Sequence, residues 1–474
     1  MLSNTCFSQY AISWEDPIEV SEDGMDNNRP RITLDAAGNP LIIWGKDSGK
    51  EFFFTRYDGS EFSVPEILLA PEFDIFTADW AGPEISSSGD DAFIVFKRYP
   101  ENEFGAYLLK STDGGQTWSD TIRVDNIPFG DVQTRFPNIT VNDEGNPAVT
   151  LMKFIGLYED PEYEVLTSVD GGQTFGPMVN ASTDFADGEA CDCCTADIIN
   201  SNGKLVQLYR NNDTNIREIK ATISNDWGAT FDEVINMDDT DSFSNICFSS
   251  GPDGLIAGDN LIAVYRANIP NGYRLYATEY NLISGDIEHV IVDPFVPSNI
   301  SQHNAKIGGD AVHQMVVWEE YTAANANVLY SLSSTGASGF SAPSDTLNVQ
   351  TLGRQVNPDV AYYDGTFHIV WQDKYSGRVA YRKGAVIKAV SVENLIDAQV
   401  IAFPNPCTTE FVLKNIQGYK QVEVTNSLGQ LIFQNRITTN QITISMQQHS
   451  AGTYLVNLIS NEGVSSSIKL VKSN

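Results

Sequence analysis

The sequence predicts an all-β chain: a β-propeller, read as seven blades with six as the alternative count, followed by a small Ig-like β-sandwich. Three observations carry that prediction. A unit whose last residue returns every 52 to 58 residues recurs from Pro30 to Trp371. Aromatic residues make up 11% of the chain and glycines number 36, yet no long stretch alternates at the helical period, as suits many short strands joined by turns. Near Ile387 the repeat gives way to a different pattern of short strands and Asn/Gly turns.

Each unit opens on Pro or a small residue, continues through alternating apolar positions to a Gly, Asp or Asn turn, and ends on an aromatic or large apolar residue. The segments are 30–44, 83–96, 137–151, 195–209, 252–265, 304–318 and 357–371. Each reads as a hairpin, followed in the first four units by a third strand at 52–57, 106–111, 163–168 and 219–224. With an outer strand the repeat holds four strands, the content of one propeller blade. The last unit lacks an outer strand after Arg382. Residues 12–20 match one, because Trp14-x-x-Pro17 parallels Phe62-x-x-Pro65 and Phe340-x-x-Pro343. The N-terminal strand is therefore expected to complete the last blade, closing the ring and removing a free edge.

Between third and fourth strands three boxes share one pattern. They are Ser111-x-Asp113-x-Gly115-x-Thr117-Trp118, Ser168-x-Asp170-x-Gly172-x-Thr174-Phe175 and Ser224-x-Asp226-x-Gly228-x-Thr230-Phe231, with degenerate copies at 58–62 and 334–340. Asp can accept N–H groups of its own turn, Gly supplies positive φ, and Thr and the aromatic pin the loop. A pattern repeated in several blades is scaffold, whereas an active site occurs once. Asp113, Asp170 and Asp226 are thus read as structural turn formers rather than acids or Ca²⁺ ligands. With these boxes, residues 9–386 resemble the Asp-box (BNR-repeat) propellers of the sialidase superfamily.

Residues 387–397 read as a linker and 398–474 as a second domain. Phe403-Pro-Asn-Pro406, Asn426-x-x-Gly429-Gln430, Ala451-Gly-Thr-Tyr454 and Lys469-x-x-Lys472 punctuate its alternating strands. Together they resemble the C-terminal sorting domain of type IX secretion substrates of Bacteroidetes. That resemblance implies a partner in the type IX machinery and a secreted or outer-surface location. Residues 1–8 read as a signal-peptide remnant, with the small residues Cys6 and Ser8 placed for cleavage after Ser8.

The net charge of −33 repels phosphates, which argues against nucleic acid as a partner. No apolar run reaches the roughly 18–20 residues that span a bilayer, so no transmembrane segment is expected. Cleavage after Ser8 leaves five of the six cysteines, which an exported location permits to form disulfides with at least one thiol unpaired.

Loops entering the innermost strands rim one end of a propeller channel, and ligand sites are commonly built there. Aligning the units puts Arg29, Asp79, Trp80, Arg135, Cys191, Cys193, Cys194, Cys247, Gln302, His303 and Arg354 in those loops. The expected function is capture of a glycan or protein ligand at the rim, with Arg29, Trp80, Arg135, His303 and Arg354 as contact residues. The sialidase resemblance implies an alternative, an exo-sialidase whose Arg29, Arg135 and Arg354 grip a carboxylate with guanidinium forks. The chain departs from that pattern, since Arg29-Pro-Arg31-Ile32 stands where active members carry Arg-Ile-Pro. No residue is assigned as nucleophile or acid. Cys191, Cys193, Cys194 and Cys247 form the third candidate, as disulfides, with a bridge from this cluster to Cys247 expected rather than a strained Cys193–Cys194 ring, or with His303 as a Cu or Zn site. Asp184, Asp187, Glu189, Asp238, Asp239 and Asp241 offer carboxylates for Ca²⁺, though solvated turns account for them equally well.

Overall fold

The computed structural model describes residues 10–22, 27–46, 50–70, 73–128, 130–182, 188–238, 240, 248–269, 272–297, 300–322, 325–388, 400–416, 419–426, 429–460 and 465–473. Two compact units divide the chain, Met1–Ala389 and Val390–Asn474.

The first unit is a propeller of seven antiparallel sheets. From the inside outward, blade 1 is Asn27–Leu34, Pro40–Lys46, Glu51–Arg56 and Glu66–Ile67. Blade 2 is Glu84–Ser88, Asp91–Lys97, Ala106–Ser111 and Ile122–Arg123, and blade 3 is Val132–Val141, Pro147–Ile155, Glu159–Thr167 and Val179–Asn180. Blade 4 is Asp197–Ser201, Lys204–Asn212, Ile219–Ser224 and Glu233–Asn236, and blade 5 is Asp253–Ala257, Asn260–Ile269, Gly272–Asn281 and Ile287–Ile291. Blade 6 is Ser301–Gly309, Gln314–Tyr321, Ala326–Ser333 and Asp345–Thr346. Blade 7 takes Gln355–Tyr363, Thr366–Asp373 and Arg378–Lys388 from the end of the unit and Tyr10–Trp14 from its start. The ring is closed by the N-terminal strand.

That closing pair corrects one boundary. Ile387 and Lys388, read from the sequence as linker, are strand residues paired with Ala11 and Tyr10. Trp14 lies opposite Gly384, where an added Cβ would stand 2.4 Å from the indole, so the ring of Trp14 occupies the space of a missing side chain.

The second strand of each blade is apolar on both faces because each sheet packs between two others. In blade 1, Leu41 and Ile43 join Ile94 and Phe96 of blade 2, while Ile42 and Trp44 join Val370 and Tyr381 of blade 7. Corresponding apolar layers fill the other five interfaces.

In the second unit, Ile401–Phe403, Glu410–Lys414 and Gln441–Ser445 form one sheet. Leu431–Arg436, Tyr419–Asn426, Gly452–Ser460 and Ser465–Lys472 form the other. Phe411, Leu413, Val424, Ile444, Val456 and Leu470 are buried in the core they share.

Candidate functional site

The inner strands of blades 1, 3, 6 and 7 begin with the same bulge, at Asn28/Arg31, Arg135/Asn138, His303/Lys306 and Val356/Asp359. Arg29, Phe136, Asn304 and Asn357 accordingly hold φ values of 45°, 53°, 47° and 53°. The residue that follows the opening Pro or Ala of each unit then forms a ring of one side chain per blade: Arg31, Glu84, Asn138, Asp197, Asp253, Lys306 and Asp359.

This ring stitches the blades together. The N–H groups of Gly254, Ile307 and Ile32, each on the next blade, donate to Asp197 (2.9 Å), Asp253 (2.7 Å) and Asp359 (2.9 Å). Asn138 donates to Asp197 at 3.1 Å, and Lys306 pairs with Asp253 at 2.6 Å. Glu84 receives both Arg29 and Arg31, and their charges hold its carboxyl below the usual range despite burial. Burial and the nearby Asp253 push Asp197 up to about 8, and burial also raises Asp359. Between these residues lies a cavity of about 30 Å³, room for a few waters rather than a sugar ring. The sequence reading missed this ring, although its signal was legible as a polar residue one place past each opening Pro or Ala.

The rim residues proposed from sequence take separate positions. Arg29 lines the cavity, but its guanidinium is engaged by Glu84 and the Pro83 carbonyl (3.2 Å). Burial and the Arg31 charge lower it to about 10. Trp80 also lines the cavity, half-buried and edge-on to Phe136 at 5.0 Å. Arg135 is buried beneath that rim. Its guanidinium lies 3.9 Å from the Phe136 ring and 4.7 Å from Tyr158, with Glu101 at 3.5 Å and the Asp192 carbonyl at 3.4 Å. His303 shares its Nε2 with the Ser301 hydroxyl (2.8 Å) and packs on Tyr321, and burial pushes its imidazole down to about 3. Arg354 is exposed, its guanidinium 5.7 Å from the Tyr321 ring. Of the three arginines, Arg29 alone lines the described cavity.

Cys191, Cys193 and Cys194 enter blade 4 on a tight turn in which the Cys194 N–H donates to the Cys191 carbonyl at 3.1 Å. Their three sulfurs lie within 4.8 Å of one another. Cys191 and Cys194 are fully buried, with Sγ atoms 2.8 Å apart. The half-buried Cys193 is disulfide-bonded, its Sγ 3.6 Å from that of Cys191. The expected bridge to Cys247 falls on a residue outside the described ones. Arg217, itself buried, donates Nη1–H to the Cys191 sulfur at 2.9 Å. The hydrogen-bonded Cys194 and then Arg217 and Arg210 hold the Cys191 thiol well below its usual range, while burial drives Cys194 up.

The Cys193 sulfur is committed to its disulfide and is not offered to a soft metal. His303 is not among the clustered ligands. Of the acidic residues considered for Ca²⁺, Asp184, Asp187, Asp239 and Asp241 lie outside the described residues. The buried Asp238 accepts the Thr240 N–H at 2.9 Å, and Glu189 is an exposed strand residue.

The boxes lie at the other end of the blades. In each, the Asp accepts the Thr N–H at 2.9 Å, for Asp113, Asp170 and Asp226 alike. The box serine takes the N–H of Gly115, Gly172 or Gly228 at 2.8–2.9 Å. Those glycines have φ from 77° to 81°, and a Cβ there would meet Phe54, Phe93 or Thr167 of the preceding blade within 2.9 Å. The threonine bonds lower all three carboxyls, Asp170 to about 2.

No curated protein matches the chain by sequence. Among solved structures it is similar to PorZ, an essential surface component of the type-IX secretion system of Porphyromonas gingivalis. The identity is 13% and the TM-score 0.43, covering 96% of this chain and 61% of that one. An ulvan lyase is similar with 9% identity and a TM-score of 0.47, covering 79% and 94%. A neuraminidase-like protein of a little yellow-shouldered bat virus is similar with 10% identity and a TM-score of 0.43, covering 67% and 96%. Among the described residues no helix is long and apolar enough to cross a membrane. Residues 401–473 match the secretion system C-terminal sorting domain, so the chain carries a type IX sorting tail and is secreted to the outer cell surface or beyond it.

Proposed function

We propose that the protein is an exported Asp-box propeller that binds a glycan or protein ligand on the rim of blades 2 and 3, a glycan being the better fit. The carrying observation is an aromatic surface built around one guanidinium. Trp80 is half-buried and Tyr158 is 43% exposed, and both rings lie within 6 Å of the buried Arg135 guanidinium that fixes them. Rigid aromatic faces offer large contact area at low entropic cost. The small cavity and its ion-paired ring support a ligand seated on the rim, not inside the channel.

The arginine placements favour binding over sialidase hydrolysis. Arg29 and Arg135 each already hold a glutamate, and Arg354 lies on Tyr321.

Titration against a panel of immobilised neutral and acidic oligosaccharides tests the reading. Trp80→Ala should weaken capture by about tenfold, or roughly 1.4 kcal/mol, while Arg354→Ala leaves it unchanged. Capture indifferent to Trp80, or release of a fluorogenic sialoside that Arg29→Ala abolishes, would overturn it.

A further inference from the structure

We propose that the channel mouth opposite the rim, between blades 7, 1 and 2, binds an arginine side chain of a partner polypeptide. There the ends of the inner strands Asn27–Leu34, Glu84–Ser88 and Gln355–Tyr363 border an open cleft of about 390 Å³. That volume falls within the roughly 300–1,000 Å³ of small-ligand sites. Its exposed ring is held in place from the neighbouring blade. Tyr363, 44% exposed, donates its hydroxyl to the Ala36 carbonyl at 3.2 Å. The same ring lies on Gly38, where an added Cβ would stand 2.4 Å from it. Tyr362 lines the cleft beside it, its hydroxyl 3.1 Å from His313 Nδ1.

The lining side chains offer acceptors and ring faces. Ser87 gives its hydroxyl proton to the Leu34 carbonyl at 2.6 Å, so Thr33, 2.6 Å from Ser87, must donate to it. Thr33, Ser87 and Tyr363 have thus spent their protons and keep only lone pairs. Asp35 adds a carboxylate. Its Oδ1 accepts the N–H groups of Ala37 (2.9 Å) and Asn39 (2.8 Å), and its Oδ2 accepts the Asn39 amide at 3.1 Å, which leaves Oδ2 a lone pair. No Lys, Arg or His lines the cleft. Asp90 and Asp364 stand in the adjoining turns of blades 2 and 7, and Asp90 accepts the Ala36 N–H at 3.3 Å.

A ligand matched to this lining is rich in donors and positively charged. A guanidinium carries five N–H donors and no acceptor, and its flat face stacks on a tyrosine ring. A carboxylate or sulfate would meet Asp35 with like charge, and the oxygens of a neutral sugar would find no side-chain donor. The charge around the mouth favours a chain over a free cation. The inner turns of blades 3, 5 and 6 add Asp143, Asp259 and Asp310, which suit further basic residues flanking the arginine. Ala36 and Tyr363 are exposed, so that chain lies across the face while one side chain enters the cleft.

Fluorescence polarisation with the full-length protein tests the site, using a labelled Lys-Gly-Arg-Gly-Lys peptide and its analogue with citrulline, the neutral isostere, in place of arginine. The arginine peptide should bind at least about fivefold tighter than the citrulline peptide, and its affinity should weaken as salt is raised. Tyr363→Ala should cost the arginine peptide at least about fivefold, whereas Tyr363→Phe, which keeps the ring face, should stay within about twofold. The comparison of the two peptides on the wild type needs no variant to fold. Equal binding of the citrulline peptide, or an affinity indifferent to Tyr363→Ala, overturns the proposal. Binding lost in Trp80→Ala but kept in Tyr363→Ala would put the peptide on the rim and overturn it too. Arginine amide that binds as tightly as the peptide would make the ligand a small cation and refute the partner chain.

Discussion

Replacing Asp253 by alanine tests whether the ring of polar side chains holds the propeller shut. Asp253 accepts Lys306 at 2.6 Å and the Ile307 N–H of the next blade at 2.7 Å. Its removal leaves a cation and a backbone donor unmatched between blades 5 and 6. Breaking a buried pair on one side costs about 3–5 kcal/mol. Residual exposures of 18% for Lys306 and 11% for Asp253 put this pair at the lower end, about 3 kcal/mol. The urea midpoint of the intact protein should fall by that equivalent at unchanged slope. Adding Lys306→Met removes the stranded charge and should recover about half of the loss. The pH dependence supplies a second reading. Asp197, pushed up to about 8 by burial and then by Asp253, keeps its proton in the folded state over a range where the unfolded chain has released it. A raised carboxyl contributes stability that is present below the ordinary carboxylate range and is lost as pH rises through about 8. Without Asp253 that decline should be smaller. A loss under about 1 kcal/mol, or no recovery with Lys306→Met, would refute the argument.

Ser224→Ala removes a buried hydroxyl that accepts the Gly228 N–H at 2.8 Å and donates to Asp226 at 2.8 Å; it should lower the urea midpoint by the equivalent of about 1–3 kcal/mol. His368 is buried against the Tyr381 hydroxyl (2.7 Å) and lowered to about 4, first by burial and then by Lys383. The folded protein therefore resists the proton that an unfolded histidine accepts near 6.5, and this contribution is lost as pH falls from 6.5 through about 4. Denaturation midpoints at pH 7 and pH 4.5 should accordingly differ less in His368→Gln than in the wild type.

The architecture was legible because its causes are local and repeated. Hairpins such as Pro40–Lys46 with its neighbours announce themselves by alternation and turn residues. The fourth strand of blade 7 was found because Trp14-x-x-Pro17 copies the outer-strand pattern elsewhere. Four short motifs, two of them proline- or glycine-marked turns, pointed to the sorting domain for the same reason. The site was much less legible, since it depends on which blade faces which. Arg29 meets Glu84 across 55 positions of sequence, and Asp359 reaches Ile32 across 327. The repeated polar position after each Pro or Ala marks such residues, but no local pattern says which of them pair. Reading the rim by alignment picked out the loops, but the bulges at Arg29, Phe136, Asn304 and Asn357 shift which side chain enters the channel by a place or two. The sequence by itself determined a closed ring of four-stranded blades and an export tag, because strand period, turn chemistry and boxes act over a few residues. Only the tertiary structure decided that the channel is filled by its own charges, that the aromatic rim gathers on Arg135, and that three sulfurs share one pocket, because each depends on approach between separate blades or on the folding back of one loop.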